Sequence, residues 1–153
     1  MEDFVDASDL DKQIRWLVYR YFIDTGFPPN IPILAREAGS DLYSVEESLS
    51  RLAAAHSLVL APGSHSIWMA HPFSGVPTSY PVQACGIRYW ANCAWDALGI
   101  PAMVGQNATT VTLCPDCGES VILKVEDGAV SPGNAVVHFL VPAAEFWDDI
   151  GFT

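Results

Sequence analysis

Eleven residues, HPFSGVPTSYP (71–81), separate two kinds of hydrophobic pattern, and no single-class fold accommodates both. Ahead of them apolar residues recur at helical spacing. Beyond them they fall into short runs cut by Gly, Pro, Asn and Asp, as strands and turns require. The segment itself is rich in Pro, Gly and Ser and reads as a linker. The expectation is an α+β protein in two parts, a helical unit over 1–75 and an antiparallel-sheet domain with helices over 76–153. Half of the 153 residues are hydrophobic, so there is material for a core and no sign of intrinsic disorder.

In the first part, DKQIRWLVYRYFIDTG (11–26) sets Ile14, Leu17, Val18, Tyr21 and Phe22 on one stripe, and Gly26 with Pro28 and Pro29 stops it. NIPILAREAG (30–39) is a short helix between a cap at Asn30 and a stop at Gly39. SVEESLSRLAAAH (44–56) opens on Ser44 and Glu47, a capping-box pair, and ends at His56. LVLAPGSHSIWMA (58–70) reads as two strands about Pro62-Gly63-Ser64. Three helices and a hairpin make a winged-helix-like unit. Such units often bind DNA, but phosphate contact needs Lys or Arg on the docking face. Residues 1–75 carry five Lys+Arg against ten Asp+Glu, and the third helix offers Glu46 and Glu47 against Arg51. A structural role is the better reading.

In the second part, SYPVQA (79–84) and IRYWA (87–91) flank Cys85-Gly86 as a hairpin. CAWDALGIPAMVG (93–105) is a helix, bent or ended near Gly99 and Pro101. TTVTLC (109–114) and SVILKV (120–125) form a second hairpin about PDCGE. NAVVHFLVP (134–142) reads as a long apolar strand and AAEFWDDI (143–150) as a closing helix.

Charge narrows the partners. Seven Lys+Arg against 18 Asp+Glu give a net charge of −11, which disfavours nucleic acid and anionic membranes and suits a small neutral or cationic ligand. No apolar run reaches the roughly 18 residues of a membrane span. The acidic start MEDFVDASDLDK is unlike a signal peptide, so the expected location is the cytoplasm. Four cysteines in a reducing compartment point to reactive or metal-binding thiols rather than a disulfide framework. Nothing in the sequence sets an oligomeric state.

Two of these residues stand in a suggestive relation. Cys93 sits at a helix N-terminus, where free amide N–H groups and the helix dipole favour a thiolate. Asp96, three residues on, shares its face. Together they can hold a soft electrophile and deliver a proton to its leaving group. A buried cysteine beside a first-turn aspartate that only complements the dipole would show the same spacing.

The stretch RYWANCAWDALGIPAMVG (88–105) resembles the core of the organomercurial (alkylmercury) lyases, whose helix also opens on Cys-Ala-x-Asp and runs on through a proline to a glycine. The likeness continues through ATTVTLC (108–114), Val137-His138-Phe139 and Pro142-x-x-Glu145-x-Trp147, and the family's helical first part is matched by 1–75. What the resemblance implies is protonolysis of a carbon–mercury bond. Cys93 would be the thiolate that takes the mercury, Asp96 the proton relay to carbon, a small organomercurial the substrate, and no cofactor would be required. The family also places a second catalytic cysteine just before its His-x-Phe strand. That position falls here on Asn134 or Ala135.

Three other thiols could stand in for it. Cys85 lies eight mostly extended residues from Cys93, too far at about 3.3 Å per residue. Cys114 and Cys117, in CPDCG, have the form of half a zinc ribbon and are candidate ligands for Hg(II) or Zn(II). Completing a zinc site needs two further ligands, from His138, His71 or Cys93. A redox-sensitive or turn-forming pair is the alternative. His138 on its apolar strand reads as a core histidine, and His65 and His71 as loop residues. Trp90 and Trp95 bracket Cys93 and could wall an apolar pocket.

Three functions follow: an organomercurial lyase, a lyase or isomerase of the same fold working on a non-mercurial substrate through Cys93 and Asp96, or a metal- or thiol-responsive binding protein using Cys114 and Cys117.

Overall fold

Ser8 opens the first helix, its side chain accepting the Asp11 N–H at 3.1 Å. The computed structural model describes residues 8–152, so the acidic stretch 1–7 lies outside the described residues. Helix α1 (Asp9–Thr25) buries Ile14, Val18 and Phe22, every fourth residue on one stripe. Gly26 stops it at φ +80°, donating its N–H to Phe22 O at 2.7 Å. A Cβ there would collide with the Arg88 carbonyl, so this glycine also admits the second part of the chain. Helix α2 (Ile31–Ala38) is capped by Asn30 and ended by Gly39, as the sequence suggested.

Helix α3 (Leu42–Ala54) starts earlier than the capping-box pattern indicated. Asp41 is the cap, accepting the Ser44 N–H at 2.9 Å, and places Ser44 inside the first turn. Val45, Leu49 and Leu52 face the core. Asp11 joins α1 to α3, accepting from Ser48 Oγ at 2.6 Å and from Arg51 Nη2 at 2.8 Å.

Strands β1 (Val59–Leu60), β2 (Ile67–Ala70) and β3 (Phe73–Ser74) form an antiparallel sheet in that order. Strand β3 lies within the segment read as a linker, and that reading is corrected here. Phe73 is fully buried, stacked on Phe22 at 5.2 Å and tilted against Tyr89 at 5.6 Å, and it bridges to Ala91. The Pro and Gly content is real, but Phe73 pins the segment. One apolar cluster runs from Ile14 of α1 to Ala108 beyond it.

The second sheet has the order β5-β4-β6-β7-β8 and is antiparallel throughout, from β4 (Pro81–Ala84), β5 (Ile87–Trp90), β6 (Ala108–Leu113), β7 (Ser120–Glu126) and β8 (Ala129–Ser131). Cys85 and Gly86, both at positive φ, make the β4–β5 turn. Asp127 and Gly128 make an equivalent turn into β8, a strand the sequence reading did not include. Helix α4 (Ala94–Val104) follows β5, runs through Pro101 and stops at Gly105, so Gly99 and Pro101 do not end it.

Two expectations for the C-terminal region fail. Residues 134–142 form no strand, and Val136 and Leu140 are 87% and 74% exposed. Strand β8 takes the sheet edge instead, and Pro132-Gly133 follow it directly. The closing helix reduces to a single 3-10 turn, Ala143–Glu145. The architecture is α+β as expected, with helices, two antiparallel sheets and a shared core.

Candidate active site

Cys93 is the N-cap of α4, its backbone extended and its sulfur accepting the Asp96 N–H at 3.5 Å. Ala97 and Ile100, buried on the inner face of the same helix, anchor it to the core. The sequence therefore sets the Cys93–Asp96 relation locally: a capping sulfur and a first-turn carboxylate.

The surroundings of Asp96 come from farther away. Its Oδ2 lies 3.2 Å from His71 Nδ1 and accepts the Asn92 Nδ2 hydrogen bond at 3.1 Å. Asn92 Nδ2 also lies 3.3 Å from the Pro72 and Phe73 carbonyls. Tyr19 of α1 fixes this turn from below, its hydroxyl donating to His71 O at 3.0 Å. Gly99 lets α4 settle on it, since a Cβ there would come within 3.3 Å of Pro72. The Asp96 side chain is only 14% exposed and that of His71 36%. Trp147 meets the His71 ring edge-on at 6.2 Å and stacks on His56 at 4.1 Å. His71 Nε2 and Asn92 Oδ1 are buried and have no partner among the described residues.

Burial pushes the Cys93 thiol up from its ordinary range, and the Asp96 charge adds to this. The Asp96 and Trp95 backbone N–H groups pull the other way without prevailing. The helix N-terminus alone suggested a thiolate; the buried setting favours a thiol.

Cys93 and Asp96 are thus brought together, and His71 and Asn92 join them. Asn92 was within reach of sequence reasoning, four residues before Asp96. His71 was not: it lies 25 residues from Asp96, and no periodicity marks it. Cys85 sits at the opposite end of β5 from Cys93. Trp95 is 61% exposed. Trp90 lines, with Phe27 and Arg88, a hollow that includes neither Cys93 nor Asp96. His138 is exposed rather than a core histidine, as are Asn134 and Ala135. Cys114 and Cys117 occupy the β6–β7 turn. Among the described residues, no group of three or more His, Cys, Asp or Glu could hold a metal, so His138, His71 and Cys93 do not complete a site there.

Comparison with known proteins gives the family. The alkylmercury lyase family model matches residues 73–153. The alkylmercury lyase of Staphylococcus epidermidis is 29% identical over 120 residues, 76% of this chain and 53% of that protein. The alkylmercury lyase of Bacillus cereus is 33% identical over 70 residues, 44% of this chain and 32% of that protein. The chain thus spans about half the length of the first relative and a third of the second. The crystal structure of the mercury-bound form of MerB2 superposes with a TM-score of 0.59 at 19% identity, covering 81% of this chain and 66% of that one, a likeness of fold. The family model takes in β3, the whole second sheet, α4 and the Cys93–Asp96 turn, more than half of the 153 residues, and the chain belongs to the alkylmercury lyase family.

Proposed function

We propose that this chain cleaves carbon–mercury bonds by protonolysis, with Cys93 taking the mercury and Asp96 carrying the proton. The observation behind this reading is the cap of α4, where the half-buried Cys93 sulfur accepts the Asp96 N–H and the Asp96 carboxylate follows in the same first turn, in a chain of this family.

The chemistry follows from the two side chains. Thiolate sulfur is the protein ligand best matched to soft mercury. An R–Hg⁺ cation entering the site forms an S–Hg bond to Cys93 as the S–H bond breaks, and the Asp96 carboxylate takes that proton. The C–Hg bond then breaks with its electron pair left on carbon, which receives the proton from Asp96. The sum is R–Hg⁺ plus a thiol giving R–H plus Cys93-bound Hg(II), with no change of oxidation state and no resident cofactor. A thiol held above its ordinary range suits this scheme, because it brings its own proton into the site. His71 and Asn92 act as positioning residues: their donors at Asp96 Oδ2 leave Oδ1 for the travelling proton.

Headspace gas chromatography tests it. Phenylmercury or methylmercury with excess small thiol should release benzene or methane, and Cys93→Ser should abolish the release. No hydrocarbon above a thiol-only control would overturn the reading. One observation favours a second one: Asn134 and Ala135, where the resemblance calls for a second thiol, carry none. Cys93 would then serve a lyase or isomerase reaction on a small non-mercurial electrophile, and a bound organic metabolite in protein inactive toward organomercurials would reveal it.

A further inference from the structure

Strand β6 ends at Leu113, paired with Ser120 at the start of β7, which leaves CPDCGE (114–119) as the turn. The turn is closed by its own backbone. Gly118 N–H donates to Cys114 O and Cys114 N–H to Glu119 O, both at 2.8 Å, with Gly118 at φ +73°. In this turn the Cys117 backbone N–H, then the Asp116 N–H and the Cys117 thiol, hold the Cys114 thiol below its ordinary range. Neither cysteine is in a disulfide, and Cys117 is exposed.

The number of ligands selects the ion. Zinc takes four, and the described residues offer no third beside this pair. A soft cation content with two thiolates in line, Hg(II) foremost, needs nothing more.

Position relates the turn to Cys93. Strands β5 and β6 both run antiparallel to β4, hence in the same direction. Trp90 pairs with Pro81, which extension of the Val82–Thr110 register sets level with Val111. Cys93 and Cys114 each follow their level residue by three positions, so both leave the sheet at the same end. The two strand spacings between β5 and β6 amount to about 10 Å.

We propose that Cys114 and Cys117 form a two-thiolate site for soft linear cations and receive inorganic Hg(II) from Cys93. After protonolysis a small thiol R′SH completes the mercury on Cys93 as Cys93–S–Hg–S–R′. Exchange with the two turn thiols then gives Cys114–S–Hg–S–Cys117, the Cys93 thiol and R′SH, with two protons moved and nothing oxidised or reduced. The source of the mercury rests on the function proposed above; the binding does not.

Retention of mercury is the test. Protein of residues 1–153 carrying Cys85→Ser and Cys93→Ser is reduced, given inorganic Hg(II) and dialysed against a small monothiol, and its metal is then counted. Linked thiols outcompete a free one, so about one equivalent should remain, with at least about 10-fold less when Cys114→Ser or Cys117→Ser is added. Because Cys117 is exposed, its replacement keeps the result readable if Cys114→Ser fails to fold. Retention indifferent to both substitutions overturns the site. So does protein purified with zinc that either substitution removes. Retention without hydrocarbon release in the unsubstituted protein refutes the lyase reading alone. In active protein, Cys117→Ser should slow repeated turnover at scarce small thiol, and excess thiol should restore the rate.

Discussion

His71 Nδ1 lies 3.2 Å from Asp96 Oδ2, a contact across 25 residues made by a turn that Tyr19 holds and α4 covers. If that contact only filled space, its loss would change stability and little else. As a positioning contact, it should be felt in kcat. His71→Ala and Asn92→Ala are each expected to lower kcat for hydrocarbon release roughly 10- to 100-fold, as the loss of orienting partners does elsewhere, with KM nearly unchanged. His71→Gln, which keeps a donor, should recover part of the loss. Equal falls in kcat and in the unfolding midpoint, with no recovery by Gln, would reduce His71 to a structural residue.

The chemical step should be more sensitive still. Removing the proton carrier in Asp96→Ala is expected to cut hydrocarbon release roughly 10²- to 10⁴-fold, the usual contribution of a positioned acid. Single-turnover measurements of benzene from phenylmercury would show it, with mercury still bound to Cys93.

The Cys93 thiol should also report its setting directly. Burial and the Asp96 charge both raise it, so at neutral pH Cys93 should react with iodoacetamide more slowly than exposed Cys85, with its rate rising only at higher pH. Asp96→Asn removes the charge but not the burial, so the profile should move partway down. Peptide mass spectrometry after timed alkylation at several pH values reads both. A Cys93 profile coincident with that of Cys85 would contradict the account.

Stability at low pH should depend on Asp11. Arg51, Ser48 and Ser8 hold its carboxyl at about 2, down from 3.8, on a side chain only 5% exposed. A depressed carboxyl stabilises the fold above its unfolded value and loses that contribution as pH falls toward the folded one. The difference corresponds to about 2 kcal/mol. Asp11→Asn should therefore cost about 2 kcal/mol in urea unfolding at pH 7. The gap from wild type should narrow between pH 4 and pH 2, bounded by those two values.

Gly99→Ala separates packing from propensity. Alanine gains about 1 kcal/mol inside a helix, while its Cβ presses on Pro72 at 3.3 Å. The two effects oppose each other, so the melting temperature should hardly move. The Pro72 turn carries His71, however, and hydrocarbon release should fall several-fold. An unchanged rate would mean that the turn yields without moving the His71 ring.

The sequence made the first two helices and their stops legible because caps and glycines act locally: Gly26, Asn30 and Gly39 each do what their type predicts. It also carried Cys93 and Asp96, which one turn of helix brings together. The rest depended on partners that spacing does not reveal. Phe73 looked like part of a linker until its ring was seen stacked on Phe22. The apolar run around His138 had the composition of a strand, but β8 holds the sheet edge and no strand pairs with it among the described residues. His71 was an ordinary loop residue until the fold set it beside Asp96.

Phe73 has a bearing on how such a protein can change over time. Its ring is wedged between α1 and β5, and its carbonyl lies against Asn92 Nδ2, one residue before Cys93. The helical portion is therefore not a detachable accessory that recombination could exchange for another. A replacement would have to reproduce the seat for that ring, and any drift in Phe22 or Tyr19 is passed on to the turn that ends at Cys93.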